Sequence, residues 1–185
     1  MEGQAARLTL AQSDALIEPR DPAGLAWHVG LVSSEVDDAH AVLVGVSMGA
    51  GSVGDRIGPV AHLYVGYLLS DTAAPAEPPP PLSTLYLVAF DVPDADVPAL
   101  EEWYASEHVP QMMTVPGWRR IQCARVDTAE GRPFTHLALH WIDAPDILDT
   151  PARKAASLGP KRDLVSGRGW FTKGGRWVYE LLHPD

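Results

Sequence analysis

Leu100-Glu101-Glu102-Trp103-Tyr104-Ala105-Ser106-Glu107-His108-Val109-Pro110, followed by Val115-Pro116-Gly117-Trp118, is the stretch on which the fold turns. Leu100, Trp103, Tyr104 and His108 recur at helical spacing, with Met112 continuing the row, so one face is apolar and aromatic. The helix is predicted within Val92–Met113, opened by Pro93, Asp94 and Asp96, and Pro98 is tolerable in its first turn. Pro110 should end or bend it, because proline removes a backbone donor.

Upstream, Leu85–Phe90 (LYLVAF) is β-rich and mostly apolar, as in a strand covered on both faces. Downstream, Gly117–Val126 reads as a strand, Glu130-Gly131-Arg132-Pro133 as a turn, and Thr135–Ile142 (THLALHWI) as an alternating strand. Ala144–Ala156 is a second helix cut by Pro151, and Arg176–Leu182 a last strand. The order β-α-β-β-α-β suits a ferredoxin-like plait, an α+β fold with helices on one face of an antiparallel sheet. Gly167–Gly175 reads as an aromatic surface loop, with closure over a pocket as the alternative.

The stretch Trp103 to Trp118 resembles the "WY…EH(I/V)P…vPGf" signature of EthD-like members of the dimeric α+β barrel superfamily. The resemblance covers about residues 84–182 and implies a barrel of two plaits. Simple members are single plaits that pair, so a homodimer is expected. A tandem, pseudo-dimeric arrangement within one chain is the alternative.

The rest of the chain bears on that choice. The run Pro78-Pro79-Pro80-Pro81 favours a stiff polyproline spacer and marks 73–83 as a linker between residues 1–72 and an EthD-like domain, 84–185. In the first part, Gly24–Ser33, Ala41–Met48 and Val60–Leu69 read as strands and Gln4–Leu16 as a helix, consistent with a degenerate copy of the plait. Gly49-Ala50-Gly51-Ser52-Val53-Gly54 spells GxGxxG, but Gly58-Pro59 would break the helix such a nucleotide site requires. The motif is read as a loop.

A net charge of −10 repels phosphate backbones, so no nucleic-acid partner is expected. Apolar runs are too short for a membrane-spanning helix, and a cytoplasmic protein is expected. One cysteine, Cys123, allows no intrachain disulfide and no Cys-based zinc site.

Tyr104 and His108 lie one helical turn apart, as do Trp103 and Glu107. An imidazole beside a phenol can act as general base or acid with a hydrogen-bond donor at hand. His108, Tyr104 and Glu107 are therefore the candidate catalytic residues, with Glu107 either orienting the imidazole or capping a helix. The same pattern equally serves a helix that packs on a sheet and turns a corner at Pro110.

Strand alternation places His136, Ala138 and His140 opposite Leu137, Leu139 and Trp141. It sets His62, Tyr64 and Gly66 opposite Leu63, Val65 and Tyr67, and His28 opposite Trp27 and Val29. The apolar faces are expected to meet helices and the histidine faces to line a barrel cavity. Substrate-binding candidates are thus Trp103, His136, His140, His62, His28, Tyr64 and Trp118. A solvated sheet face is the plainer reading of those histidines. No ligand spacing points to a metal, and no cofactor is expected.

The superfamily resemblance implies a small cofactor-independent enzyme of secondary metabolism. Acid/base dehydration, cyclisation or isomerisation of a hydrophobic, polyketide-like aromatic is the first expectation. A cofactor-free oxygenase of phenols, or a non-catalytic ligand-binding or assembly protein, are the alternatives.

Overall fold

The computed structural model describes the backbone of residues 7–13, 26–33, 41–47, 62–75 and 84–181, with side chains at Leu8, Leu10, 64–75 and 84–179. Eight strands run β1 Arg7–Ser13, β2 Ala26–Ser33, β3 Ala41–Ser47, β4 His62–Ala73, β5 Thr84–Phe90, β6 Trp118–Glu130, β7 His136–Ile142 and β8 Gly175–Leu181. They close into one antiparallel barrel in the order β1-β3-β2-β8-β5-β7-β6-β4. Taken by halves this is β4-β1-β3-β2 and β8-β5-β7-β6, the same arrangement twice. β4 pairs with β6 and β2 with β8, so the ferredoxin-like sheets join along two seams within a single chain. The tandem alternative is the one realised.

Helices cover the outer face of the second half. α1 (Val97–Trp103) runs through a wide turn at Tyr104–His108 into α2 (Val109–Met112). In that turn the Val109 amide donates to the Tyr104 carbonyl, five residues back. The widening falls just before Pro110, whose ring would crowd the carbonyl of Ser106 in a regular helix. Pro110 therefore neither ends nor sharply breaks the rod, which continues to Met112. Gly117, at φ 83°, makes the tight entry into β6. After β7 come α3 (Pro151–Ala156), α4 (Pro160–Ser166) and α5 (Gly169–Thr172). The supposed loop 167–175 thus holds a helical turn, and its Trp170 is buried against Phe90. Among the described residues no helix is long and apolar enough to cross a membrane.

Two cores result, one on each side of the sheet. Inside the barrel Leu8, Leu10, Tyr64, Leu87, Leu139 and Trp177 pack together. Outside, Phe90, Leu100, Trp103, Met112, Ile121 and Ile142 join the sheet to the helices. Every residue of β7 is buried, which leaves its two faces equally dry.

Three expectations need correction. Arg7–Ser13 is a strand, not part of a helix: Leu8 and Leu10 alternate with Thr9 and bury fully in the barrel. The faces of β7 are also the reverse of what alternation suggested. Leu137, Leu139 and Trp141 face the barrel interior, and His136, Ala138 and His140 face the helices. Large apolar side chains fill the barrel interior, each worth roughly 1.5–3 kcal/mol when buried, and the imidazoles on the opposite face are buried no less, against the helices. Finally, β4 runs to Ala73, beyond the expected end at Leu69. The GxGxxG segment and the proline run lie outside the described residues.

Candidate functional site

Where α1, its wide turn and α2 cross the sheet, they leave a cavity of about 100 Å³. That is roughly the room one aromatic ring takes. Its floor is Tyr86, Val88 and Phe90 of β5, Trp118 of β6 and His140 of β7; its roof is Trp103, Tyr104, His108 and Met112. Arg153, Ser157, Arg162, Phe171 and Arg176 close the side, and the three arginines are only half-buried.

The wide turn keeps Tyr104 and His108 facing the sheet together, with ring centroids 5.0 Å apart and nearly perpendicular. Trp103 lies 4.5 Å from the His108 ring, and His140 lies 5.7 Å from it, edge to face. Tyr86 and Trp118 flank His140 at 5.6 and 5.4 Å. His140 is 1% exposed, yet neither of its ring nitrogens has a hydrogen-bond partner. Trp118 Nε1 is likewise buried and unpartnered. Such groups each cost about 1–3 kcal/mol when left unsatisfied. Both residues line the cavity.

Burial lowers the His108 pKa to about 3, helped by the positive charges of Arg153 and Arg162. His140 is pushed well below its ordinary value by burial first, then by His108 and Arg153. Burial drives the Tyr104 hydroxyl the other way, well above its usual range. At neutral pH the site therefore offers two uncharged imidazoles and a protonated phenol, beside guanidiniums that never lose their charge. It can accept a proton, donate a hydrogen bond and grip a flat ring.

Of the residues singled out from sequence, His108, Tyr104, Trp103, His140 and Trp118 meet in this cavity. Glu107 does not join them. Its buried carboxylate accepts from the backbone amides of Lys161 (3.1 Å) and Arg162 (2.9 Å), capping α4 from across the structure. Gly159 precedes α4, and a Cβ there would come within 2.5 Å of that carboxylate. His136 lines a smaller cavity with Leu100, Tyr104 and Cys123, its Nδ1 2.9 Å from Thr135 Oγ1. Burial sets its pKa at about 4 and pushes the Cys123 thiol up to about 11.

Tyr64 packs inside the barrel, 6.1 Å from the Phe134 ring, and takes no part in the site. His28 and His62 lie on β2 and β4, and their side chains lie outside the described residues. Among the described residues no three His, Cys, Asp or Glu side chains gather as for a metal.

Sequence reasoning missed Tyr86, Phe171 and the three arginines. Tyr86 had a usable signal, since strand alternation pairs it with Val88 and Phe90 opposite Leu85 and Leu87. Arg153 lies in the expected second helix without a distinguishing signal, and Arg162 lies beyond it. Phe171 and Arg176 favour the pocket-closing reading of 167–175: Arg176 sits 5.6 Å over the Phe171 ring, which stacks on Phe90 at 5.4 Å.

No protein-family model and no curated protein matches the chain. Solved structures do. An anthrone oxidase-like protein superposes with a TM-score of 0.55 at 17% identity, over 98% of this chain and 92% of its own. A ferredoxin-fold protein related to antibiotic biosynthesis monooxygenases, from Listeria monocytogenes, gives 0.56 at 10% identity, over 98% of both chains. A haem-degrading enzyme from the same species gives 0.52 at 7%, over 94% of this chain and 98% of its own. At these identities the likeness establishes the α+β barrel fold and leaves the reaction to the site.

Proposed function

We propose that this chain is a cofactor-free oxygenase of an electron-rich phenolic aromatic, with His108 as the proton acceptor and Tyr104 as its hydrogen-bonding partner. The observation that carries the reading is the pair of neutral, buried imidazoles, His108 and His140, inside a cavity walled by aromatic rings. Such walls hold a flat substrate, and a neutral imidazole can take the proton whose loss makes that substrate oxidisable. His108 removes a proton from an acidic C–H or O–H, and the bonding electrons stay on the substrate. The resulting anion gives an electron to dioxygen, and the two radicals combine through a new C–O bond. His108 returns the proton to the peroxide, which loses water, so that a methylene plus O2 becomes a carbonyl plus H2O.

Two features favour this over the dehydration or cyclisation expected first. The superposed proteins are described as anthrone oxidase-like and monooxygenase-related. The guanidiniums of Arg153, Arg162 and Arg176 also stand ready to stabilise an anion. The Trp103–Trp118 segment supports the finer reading of residues 84–182 as EthD-like.

The experiment is oxygen uptake with 1,8-dihydroxyanthrone as the probe, alongside quinone formation in air and under argon. Uptake and quinone should rise with enzyme and vanish without oxygen. His108→Ala should reduce turnover about 10²–10⁴-fold while the protein stays folded, and Tyr104→Phe should cost less. A destabilised His108→Ala that turns over at the normal rate overturns the assignment. Conversion that proceeds under argon restores the acid/base lyase or isomerase, and binding without turnover restores the non-catalytic reading.

A further inference from the structure

The cavity holds positive charge that nothing among the described residues neutralises. In a chain of net charge −10, basic side chains have no shortage of partners. Arg119 pairs with Asp143, Arg120 with Asp71, Lys161 with Glu102 and Arg168 with Asp96. Arg153 and Arg162 have no such partner among the described residues, and no Asp or Glu lines the cavity. Arg153 Nε is buried without a hydrogen bond. Arg162 is placed by α4, which Glu107 anchors, and by the Phe171 ring 5.8 Å beneath its guanidinium. Arg176, by contrast, already donates to the carbonyls of Gly174 (3.1 Å) and Phe171 (3.3 Å).

We infer that Arg153 and Arg162 form a carboxylate subsite on the solvent side of the cavity, so that the substrate is an aromatic acid. Its ring lies in the aromatic cavity beside His108 and its carboxylate reaches the two guanidiniums at the side. An open volume of about 100 Å³ suits this division, taking one ring and leaving the charged end outside. Guanidinium forks match carboxylates in geometry as well as charge. Binding has a second effect on the site. Both guanidiniums help hold His108 neutral. A carboxylate across them cancels that influence, so His108 becomes a better base when substrate is present. The inference rests on the cavity being the substrate site proposed above, and not on the reaction being an oxygenation.

The test is calorimetric titration of the full chain with benzoate and with its uncharged methyl ester. Neither probe needs oxygen, so binding is read apart from turnover. The acid should bind at least about tenfold more tightly than the ester at low salt, with the advantage shrinking as salt is added. Arg153→Met combined with Arg162→Met should abolish the preference, and Arg162→Lys should keep part of it. Equal affinity of the wild type for acid and ester, binding of neither, or a preference that survives the double variant would each overturn the inference. If the double variant fails to fold, the acid–ester ratio and its salt dependence in the wild type still decide. A clear preference for the acid in a protein that consumes no oxygen retires the oxygenase alone.

Discussion

Removing the Glu107 carboxylate should cost stability first and specificity second. Both oxygens accept backbone amides of the first turn of α4, at 3.1 and 2.9 Å, and Gly159 has no side chain to replace them. Losing a helix cap costs about 0.5–2 kcal/mol. Hydrogen bonds to a charged acceptor run to about 1.5–3 kcal/mol each, reduced here because the freed amides can turn to water. Glu107→Ala should therefore cost about 2 kcal/mol. For a chain of 185 residues that is a melting-temperature drop of roughly 4–8 °C by calorimetry. Glu107→Gln, which keeps one good acceptor, should lose about half as much. Gly159→Ala should mimic the loss from the other side by pushing the carboxylate off its amides. Because α4 carries Arg162, the acid–ester preference should weaken in all three variants. A Glu107→Ala protein that melts within about 1 °C of wild type, yet fails to turn over, would refute this account and return Glu107 to the chemistry.

Acid should destabilise the fold well above the range in which carboxylates titrate. His108 and His136 have folded pKa values of about 3 and 4 against an ordinary 6.5, so the unfolded chain takes up protons that the folded one refuses. Their contribution is intact above about pH 6.5 and drains away as pH falls toward those values; a melting temperature unchanged between pH 7.5 and 5 would contradict it. Nicking the chain within residues 73–83 should leave the fragments associated in gel filtration, because β4 pairs with β6 and β2 with β8; two separable folded pieces would speak against the closed barrel.

Much of this architecture was legible in the sequence, for identifiable reasons. In residues 84–181 compact apolar runs are punctuated by Pro93, Gly117 and Gly131, so the order of the strands and of the first long helix could be read directly. β1 was hidden because Ala, Gln and Leu are good helix formers, and only two residues, Leu8 and Leu10, carry the period of two. The faces of β7 could not be assigned because both are buried, and polarity says nothing when neither side meets water. The meeting of His108 and Tyr104 could be read because a single helical turn relates them. That of Arg153 and Arg162 could not, because it depends on two short helices folding over the same opening.

The two seams of the barrel differ in extent. Among the described residues β4 and β6 match ten residue pairs through two register shifts, whereas β2 and β8 match four. In an assembly of identical copies the twofold axis forces such junctions to be equal, and every inherited change is expressed at both. A barrel written once along one chain is released from that rule. One lobe can drift toward scaffolding while the other refines a pocket, and a substitution helpful to the pocket imposes no matching burden on the opposite side.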